Sequence, residues 1–331
     1  MDTPRAQVSR IKELLHPYIK RVELLIDECL RSDIQLLDST NRSVRERPGK
    51  MLRPVLSLLA AGAAGGITDD TIKFAAASEL LHNASLMHDD VVDGASERRG
   101  APTVDSVMGS KAAVLIGDFW LVKAMQAILS ADNGRDRAIR IFSKTLSDLA
   151  EGEVFQMQKA SQGDTTEEDY LRIIYNKTAS LFEAAAVTAA ISAGAPENVE
   201  NALGSFARNL GLAFQIKDDI FDYTSSDAQV GKPVGIDLLE QKITLPLLCA
   251  LDAASPQECA AIRKKIAGIS GNPALAAEVR DFVLARGGVE TATQKLDFYI
   301  EKSISCLDIL SDSPEKSYLA SLARYVGARS I

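Results

Sequence analysis

The sequence predicts an all-α protein, a single domain over residues 1–331 built as a bundle of ten or more helices around a central cavity. Three observations predict it. Apolar residues recur at steps of three and four almost throughout. Glycine and proline clusters punctuate the chain at helix-length intervals, and no run alternates in the manner of a strand. Two acidic clusters of identical spacing each close a helical block.

The first block, residues 5–30, places Val8, Ile11, Leu15, Ile19, Val22 and Ile26 on one face. Comparable blocks follow at 50–66, 70–93, 103–130, 134–161, 166–194, 197–222, 237–251, 256–268, 273–286, 288–309 and 313–327. Gly65-Gly66, Asn133-Gly134, Gly163-Asp164, Gly194-Ala195-Pro196, Gly271-Asn272-Pro273 and Gly287-Gly288 separate them as turns. Thr165-Thr166 before Glu167-Glu168 is a helix-capping sequence. Two connections are longer, Gly94 to Pro102 and Tyr223 to Gly235. Each follows an acidic cluster and carries cations, as a lid over a site would.

At 331 residues the chain is long enough to bury a large core. Its 46 % hydrophobic and 25 % charged content is that of a globular protein. The net charge of −8 argues against nucleic acid as a partner. Cys29, Cys249, Cys259 and Cys306 form no metal-binding or redox spacing and read as reduced thiols, so a cytoplasmic location is expected. The N-terminus is polar and charged, unlike a signal peptide. The most apolar stretch, Phe182 to Ala195, is interrupted by Glu183, Thr188 and Ser192 and reads as a buried helix.

The acidic clusters carry the chemistry. Asp89-Asp90-Val91-Val92-Asp93 and Asp218-Asp219-Ile220-Phe221-Asp222 both read D-D-x-x-D. On a helix, Asp89 and Asp93 share a face, as do Asp218 and Asp222, and like charges at that spacing repel. Taken singly, either motif fits a solvated acidic face. Twice over, the pattern calls for a hard divalent cation; magnesium, held by a few carboxylates and substrate phosphates, fits. Two such walls would clamp a diphosphate.

Fixed positive charge is available too. Lys50 and Arg53 in GKMLRP are spaced for one face of a first helical turn, where the helix dipole favours an anion. Arg98-Arg99-Gly100, Lys177-Thr178 and Gly231-Lys232-Pro233 supply three further clusters. His82 lies two turns before Asp89 on nearly the same face, within reach of a phosphate, whereas His88 points about 100° away and is not counted as a metal ligand.

These residues resemble the trans-isoprenyl (polyprenyl) diphosphate synthases. The resemblance runs from Gly49 to Pro246 through GKMLRP, ELLHNASLMHDDVVDGASERRG, GDF at 117–119, GEVFQ, NKTASLF, GLAFQIKDDIFDY, GKPVGIDL and KITLP. It implies the isoprenoid synthase fold, a homodimer, and condensation of isopentenyl diphosphate with an allylic diphosphate, with up to three Mg2+ ions. Contact with a membrane would be at most peripheral, for product release.

The resemblance assigns roles residue by residue. Asp89 and Asp93, with Asp90 in support, and Asp218 with Asp222 are the implied metal ligands. Lys50, Arg53, His82 and Arg99 match the isopentenyl diphosphate pocket. Arg98, Lys177, Lys232 and Lys242 match the allylic diphosphate clamp, and Thr178 and Gln215 offer polar oxygens near the developing carbocation. Two positions depart from the pattern: Pro48 and Gln241 stand where glycine is usual.

Product length is expected to depend on the turn before the first motif. Ala84 and Ser85 are small where bulky aromatics stop growth early, and Leu81 below them is no aromatic either. Phe119 and Trp120 are candidates for the cavity floor or for an ordinary packed pair. The expected product is hexaprenyl to decaprenyl. The alternatives are a farnesyl or geranylgeranyl synthase and a non-catalytic partner subunit, though such subunits tend to lose an acidic motif. A terpene cyclase would carry N-x-x-x-S-x-x-x-E, which is absent.

Overall fold

The computed structural model describes residues 4–46, 49–224 and 235–329. In chain order the helices are α1 (Pro4–Cys29), α2 (Gln35–Arg45), α3 (Leu52–Ala64), α4 (Asp69–Val92), α5 (Val104–Met108), α6 (Ser110–Leu129), α7 (Arg135–Gln162), α8 (Glu167–Ile174), α9 (Ser180–Ser192), α10 (Glu197–Thr224), α11 (Ile236–Leu239), α12 (Leu245–Asp252), α13 (Pro256–Gly268), α14 (Leu275–Ala285), α15 (Gly288–Ser305) and α16 (Pro314–Ala328). Among the described residues the sole sheet is a two-stranded hairpin, β1 (Glu97–Arg98) with β2 (Ala101–Pro102). The all-α class expected from periodicity is the class observed.

Contacts gather the chain into two compact units. One comprises Met1–Thr145, Leu181–Ser205 and Cys306–Ser321; the other comprises Leu146–Ser180, Phe206–Ser305 and Leu322–Ile331.

In the first unit α4 is the central element. Phe74, Ala75, Ala76, Ala77, Leu80 and Leu81 are fully buried, so most of its circumference is core. It packs on α6, α3 and α1. Thr68 caps it reciprocally: its hydroxyl accepts from the Thr71 amide at 3.1 Å, and its own amide donates to Thr71 Oγ1 at 3.0 Å. At the other end Gly94 (φ 61°) closes the helix, with the Ala95 amide donating to Asp90 O and the Gly94 amide to Val91 O. That stop leaves Asp89 on the last turn and Asp93 at the cap that follows it.

In the second unit, the Thr166 hydroxyl caps α8 by accepting from the Asp169 amide at 3.2 Å, as the capping sequence predicts. A five-residue π-helical turn, Tyr175–Ala179, then follows. α12 is buried on every side and packs on α15, where Gly288 leaves no room for a Cβ against the Pro246 carbonyl.

Several sequence expectations needed correction. The block 103–130 is two helices parted at Gly109 (φ 82°), and 237–251 is two helices parted at 240–244. The segment Gly94 to Pro102, expected as loop, contains the hairpin. Helix α2 was not foreseen. Nor was the apolar character of α6, which is long and apolar enough to cross a membrane by length and composition alone. Its exposed apolar residues are Val114, Leu115, Val122 and Leu129.

Candidate active site

The hairpin after α4 aims two arginines differently. Its turn residues Arg99 (φ 54°) and Gly100 (φ 74°) are both left-handed, the conformation a two-residue hairpin turn requires. Arg98 turns back to α4, where its Nε donates to Asp90 Oδ1 at 2.6 Å. The Asp90 side chain is only 7 % exposed. Arg98 is thereby committed to the acidic motif itself. Arg99 reaches Gly49, where a Cβ would stand 2.6 Å from its Nη1. Gly49 is therefore the space that the Arg99 guanidinium uses. A cavity of about 330 Å³ bordered by Asn83, Asp90, Arg98 and Arg99 opens beside the hairpin.

Behind Arg99 is Arg53, on the first turn of α3. Its guanidinium stacks on Phe182 at 4.8 Å. Burial pushes it down to about 10, against the pull of Glu79 and with help from Arg99. Its Nε is buried without a hydrogen-bond partner. Such a donor suits an anion. Lys50 differs from expectation. Met51, at φ 53°, is the left-handed residue preceding α3, so Lys50 is exposed before the helix and shares no helical turn with Arg53.

His82 is held well below the usual imidazole range by burial, then by Arg53, Arg99 and Arg98. It is neutral near pH 7 and can offer one N–H. His88 does what its angle suggested: its Nε2 lies 3.3 Å from Val114 O and 3.4 Å from Asp118 Oδ1. Gly117 makes the room, since a Cβ there would collide with the imidazole. The GDF motif thus seats His88 on α6.

Of the chain-length residues, Leu81 and Ala84 are buried in the core. Ser85 is half-buried, its hydroxyl donating to His82 O at 2.9 Å. Trp120 is buried, with its indole N–H on Asn41 Oδ1 at 2.8 Å, while Phe119 is half-buried under Lys123 at 5.1 Å. The two aromatics have separate surroundings and are not a stacked pair.

In the second unit the π-turn presents Lys177 and Thr178. Two glycines allow it: a Cβ on Gly152 would meet Asn176 Cβ at 2.7 Å, and one on Gly211 would meet Ala179 Cα at 2.5 Å. π-turns inside helices concentrate at functional positions. Lys177 Nζ reaches Glu153 at 2.6 Å and also donates to Gln156. Thr178 Oγ1 donates to Gln215 Oε1 at 2.7 Å, and Gln215 Nε2 donates to Asp219 Oδ1 at 2.8 Å. Tyr170 Oη donates to the other Asp219 oxygen at 2.6 Å. Burial pushes Asp219 up to about 6, opposed by these donors and reinforced by Asp218 and Asp222.

The three aspartates of the second motif are not equivalent. Asp222 accepts backbone N–H bonds from Gly235 and Ile236 on one oxygen and from Asp237 on the other, at 3.1, 3.2 and 3.1 Å. It therefore anchors the chain where the segment after the motif returns. Burial raises it, and these three donors partly offset that. Asp218, with a side chain 41 % exposed, is the accessible member. Arg329, which no sequence motif singled out, donates to it at 2.6 Å. Lys242 pairs with Glu240. Gln241 occupies φ 58°, which explains why glycine is usual there. Its side-chain amide helps hold the position by donating to Ile266 O at 3.1 Å. Lys232 and Pro48 lie outside the described residues.

Comparisons with known proteins identify the family and the fold. A family model described as polyprenyl synthetase matches residues 34–281. The chain is 38 % identical over 316 residues to octaprenyl diphosphate synthase of Escherichia coli (strain K12), covering 96 % of this chain and 97 % of that protein. It is 40 % identical over 304 residues to the all-trans-nonaprenyl-diphosphate synthase (geranyl-diphosphate specific) of Rhodobacter capsulatus, covering 92 % of each. Among solved structures, a polyprenyl synthase from Caulobacter crescentus CB15, complexed with calcium and isoprenyl diphosphate, superposes with a TM-score of 0.90 at 32 % identity, over 97 % of this chain and 98 % of that one. On its motifs, its fold and these likenesses, the chain belongs to the polyprenyl synthetase family.

Proposed function

We infer that this chain is a medium- to long-chain polyprenyl diphosphate synthase. It condenses isopentenyl diphosphate with an allylic diphosphate head to tail, giving a hexaprenyl to decaprenyl product, and residues 1–331 act as one catalytic domain. The single observation that carries this reading is the pair of D-D-x-x-D motifs, each with an accessible carboxylate beside a buried, hydrogen-bonded one.

The donor set fits magnesium. Asp89, Asp93 and Asp218 offer hard oxygen ligands, and among the described residues no three acidic, histidine or cysteine side chains converge on a preformed metal cage. A cation held by one or two carboxylates and completed by diphosphate oxygens matches that arrangement. Asp222 and Asp90 support the motifs through the bonds already described. Magnesium would supply Lewis-acid stabilisation of the departing diphosphate.

The chain's own residues do the rest. Arg53, Arg99, Lys50 and the neutral His82 bind the isopentenyl diphosphate, and Arg53 Nε is a donor ready for it. Lys177, with Arg98, Lys232 and Lys242, adds charge for the allylic diphosphate. Thr178 and Gln215 place oxygen lone pairs toward the allylic carbon as its C–O bond breaks. The alkene then attacks, and the departing diphosphate takes the released proton. Small Ser85 and Ala84 leave the product room to lengthen. Exposed Val107, Val114, Leu115, Val122 and Leu129 on α5 and α6 support a homodimer through this face. We place the enzyme in the cytoplasm, touching membrane at most peripherally.

The test is incubation with isopentenyl diphosphate and geranyl, farnesyl or geranylgeranyl starters, with and without Mg2+, followed by product sizing. Mg2+-dependent products of hexaprenyl length or longer are expected. Products ending at geranylgeranyl would overturn the length, and no turnover would overturn the activity.

A further inference from the structure

We propose that Arg329, the residue after the last helix, is a positioning residue that holds Asp218 in the metal-free enzyme and is exchanged for the cation when metal binds. The inference rests on the reading of Asp218 as a metal ligand and adds a role for the C-terminal segment.

The contact is built on several sides. Arg329 Nη2 donates to Asp218 Oδ1 at 2.6 Å and to Phe214 O at 2.9 Å. Its guanidinium carbon lies 4.0 Å over the Phe214 ring and 5.5 Å from that of Phe221. The Arg329 amide donates to Tyr325 O at 2.9 Å, so the residue continues the last turn of α16 rather than trailing away. The Arg329 side chain is only 7 % exposed. A single arginine is thus seated along one face of α10, over residues 214, 218 and 221.

Two properties of this seat point to exchange. A guanidinium 2.6 Å from Asp218 Oδ1 competes for the carboxylate that a divalent cation would use, because the two positive charges repel at that range. In addition, Arg329 Nε is buried without a hydrogen-bond partner. A buried donor left unused is costly, and a nearby diphosphate oxygen would satisfy it. Arg329 therefore opposes metal binding while diphosphate is absent. Once diphosphate is present, the displaced guanidinium, with its fork of donors, gains a new acceptor. The consequence is a sign reversal that a merely structural residue would not produce.

The test uses the full chain and Mn2+ binding followed by electron paramagnetic resonance, with and without inorganic pyrophosphate. Arg329→Gln is expected to tighten Mn2+ binding about tenfold without pyrophosphate, since removing an ion-pair partner from a half-exposed carboxylate is worth about that much. With pyrophosphate the gain should vanish or reverse. Arg329→Lys, which keeps the charge, should behave like the wild type without pyrophosphate. A chain ending at Ala328 should repeat the Gln result and guards against a folding artefact of one substitution. Unchanged or weakened Mn2+ binding in both Arg329→Gln and the shortened chain would overturn the proposal. Asp218→Asn separates the two levels. If it leaves Mn2+ binding unchanged, the ligand reading itself fails. If it removes a site that Arg329→Gln does not tighten, only the exchange fails.

Discussion

Arg98 and Asp90 are joined at 2.6 Å across eight residues of sequence, tying the hairpin back to the middle carboxylate of the first motif. This contact gives Arg98 a structural duty in addition to any contact with substrate. Arg98→Ala is expected to lower the unfolding free energy by about 2 kcal/mol, between the values for exposed and buried ion pairs. Asp90→Asn should lower it similarly, and the double substitution should cost less than the two added together. Urea denaturation of the four proteins measures that coupling.

The π-turn depends on absent side chains. Gly152→Ala and Gly211→Ala each place a methyl group against residues of that turn. Each is expected to destabilise the fold by about 1–3 kcal/mol, as overpacking does. Each should also reduce turnover beyond the stability loss, because Lys177 and Thr178 move with the turn. Thermal unfolding and steady-state rates at a temperature well below the transition separate the two effects.

Stability should respond to pH through His82. Its folded value is depressed below the ordinary 6.5. Below pH 6.5 the unfolded chain therefore takes up a proton that the folded chain refuses, and stability falls as pH falls. His82→Gln removes that contribution. Its unfolding free energy should decline less steeply on acidification than that of the wild type, measured by denaturant titration across the acidic range.

Product length offers a contrast between neighbours. Ser85→Phe acts at a half-buried position and is expected to shorten the product toward farnesyl or geranylgeranyl with a small stability loss. Ala84→Phe intrudes on a residue that is 1 % exposed. It should also shorten the product, but with an overpacking penalty of about 1–3 kcal/mol. Mass spectrometry of the products, paired with melting curves, checks both.

The acidic and cationic clusters stand out by their spacing alone, and the helices were legible because each leaves a local pattern. Helix α2 was not, and the reason is physical. Its buried residue is Asn41, which bonds Leu30 O and the Trp120 indole, while Leu36 is 64 % exposed. Apolar periodicity cannot find a helix whose inward face is polar. The hairpin escaped for a similar reason, since four residues are too few to alternate. The left-handed turn at Met51, which takes Lys50 out of the helix, contradicts the propensity of both residues. Arg329 left no signal at all, because its partner lies far away in sequence and pairing across such distance has no period.

The bonds from Thr178 to Asp219 also have a direction. The buried carboxylate at one end can only accept, so the Gln215 amide must turn its N–H toward it and its oxygen toward Thr178. The Thr178 hydroxyl proton is then spent on that oxygen. What remains at the far end is a hydroxyl with lone pairs and no proton to offer. Such a group rejects a phosphate oxygen and welcomes an electron-poor carbon. On the proposed reading of Thr178 as a contact for the allylic diphosphate, the polarity of this chain of bonds would act as a filter, set from the buried end, for which end of that substrate rests there.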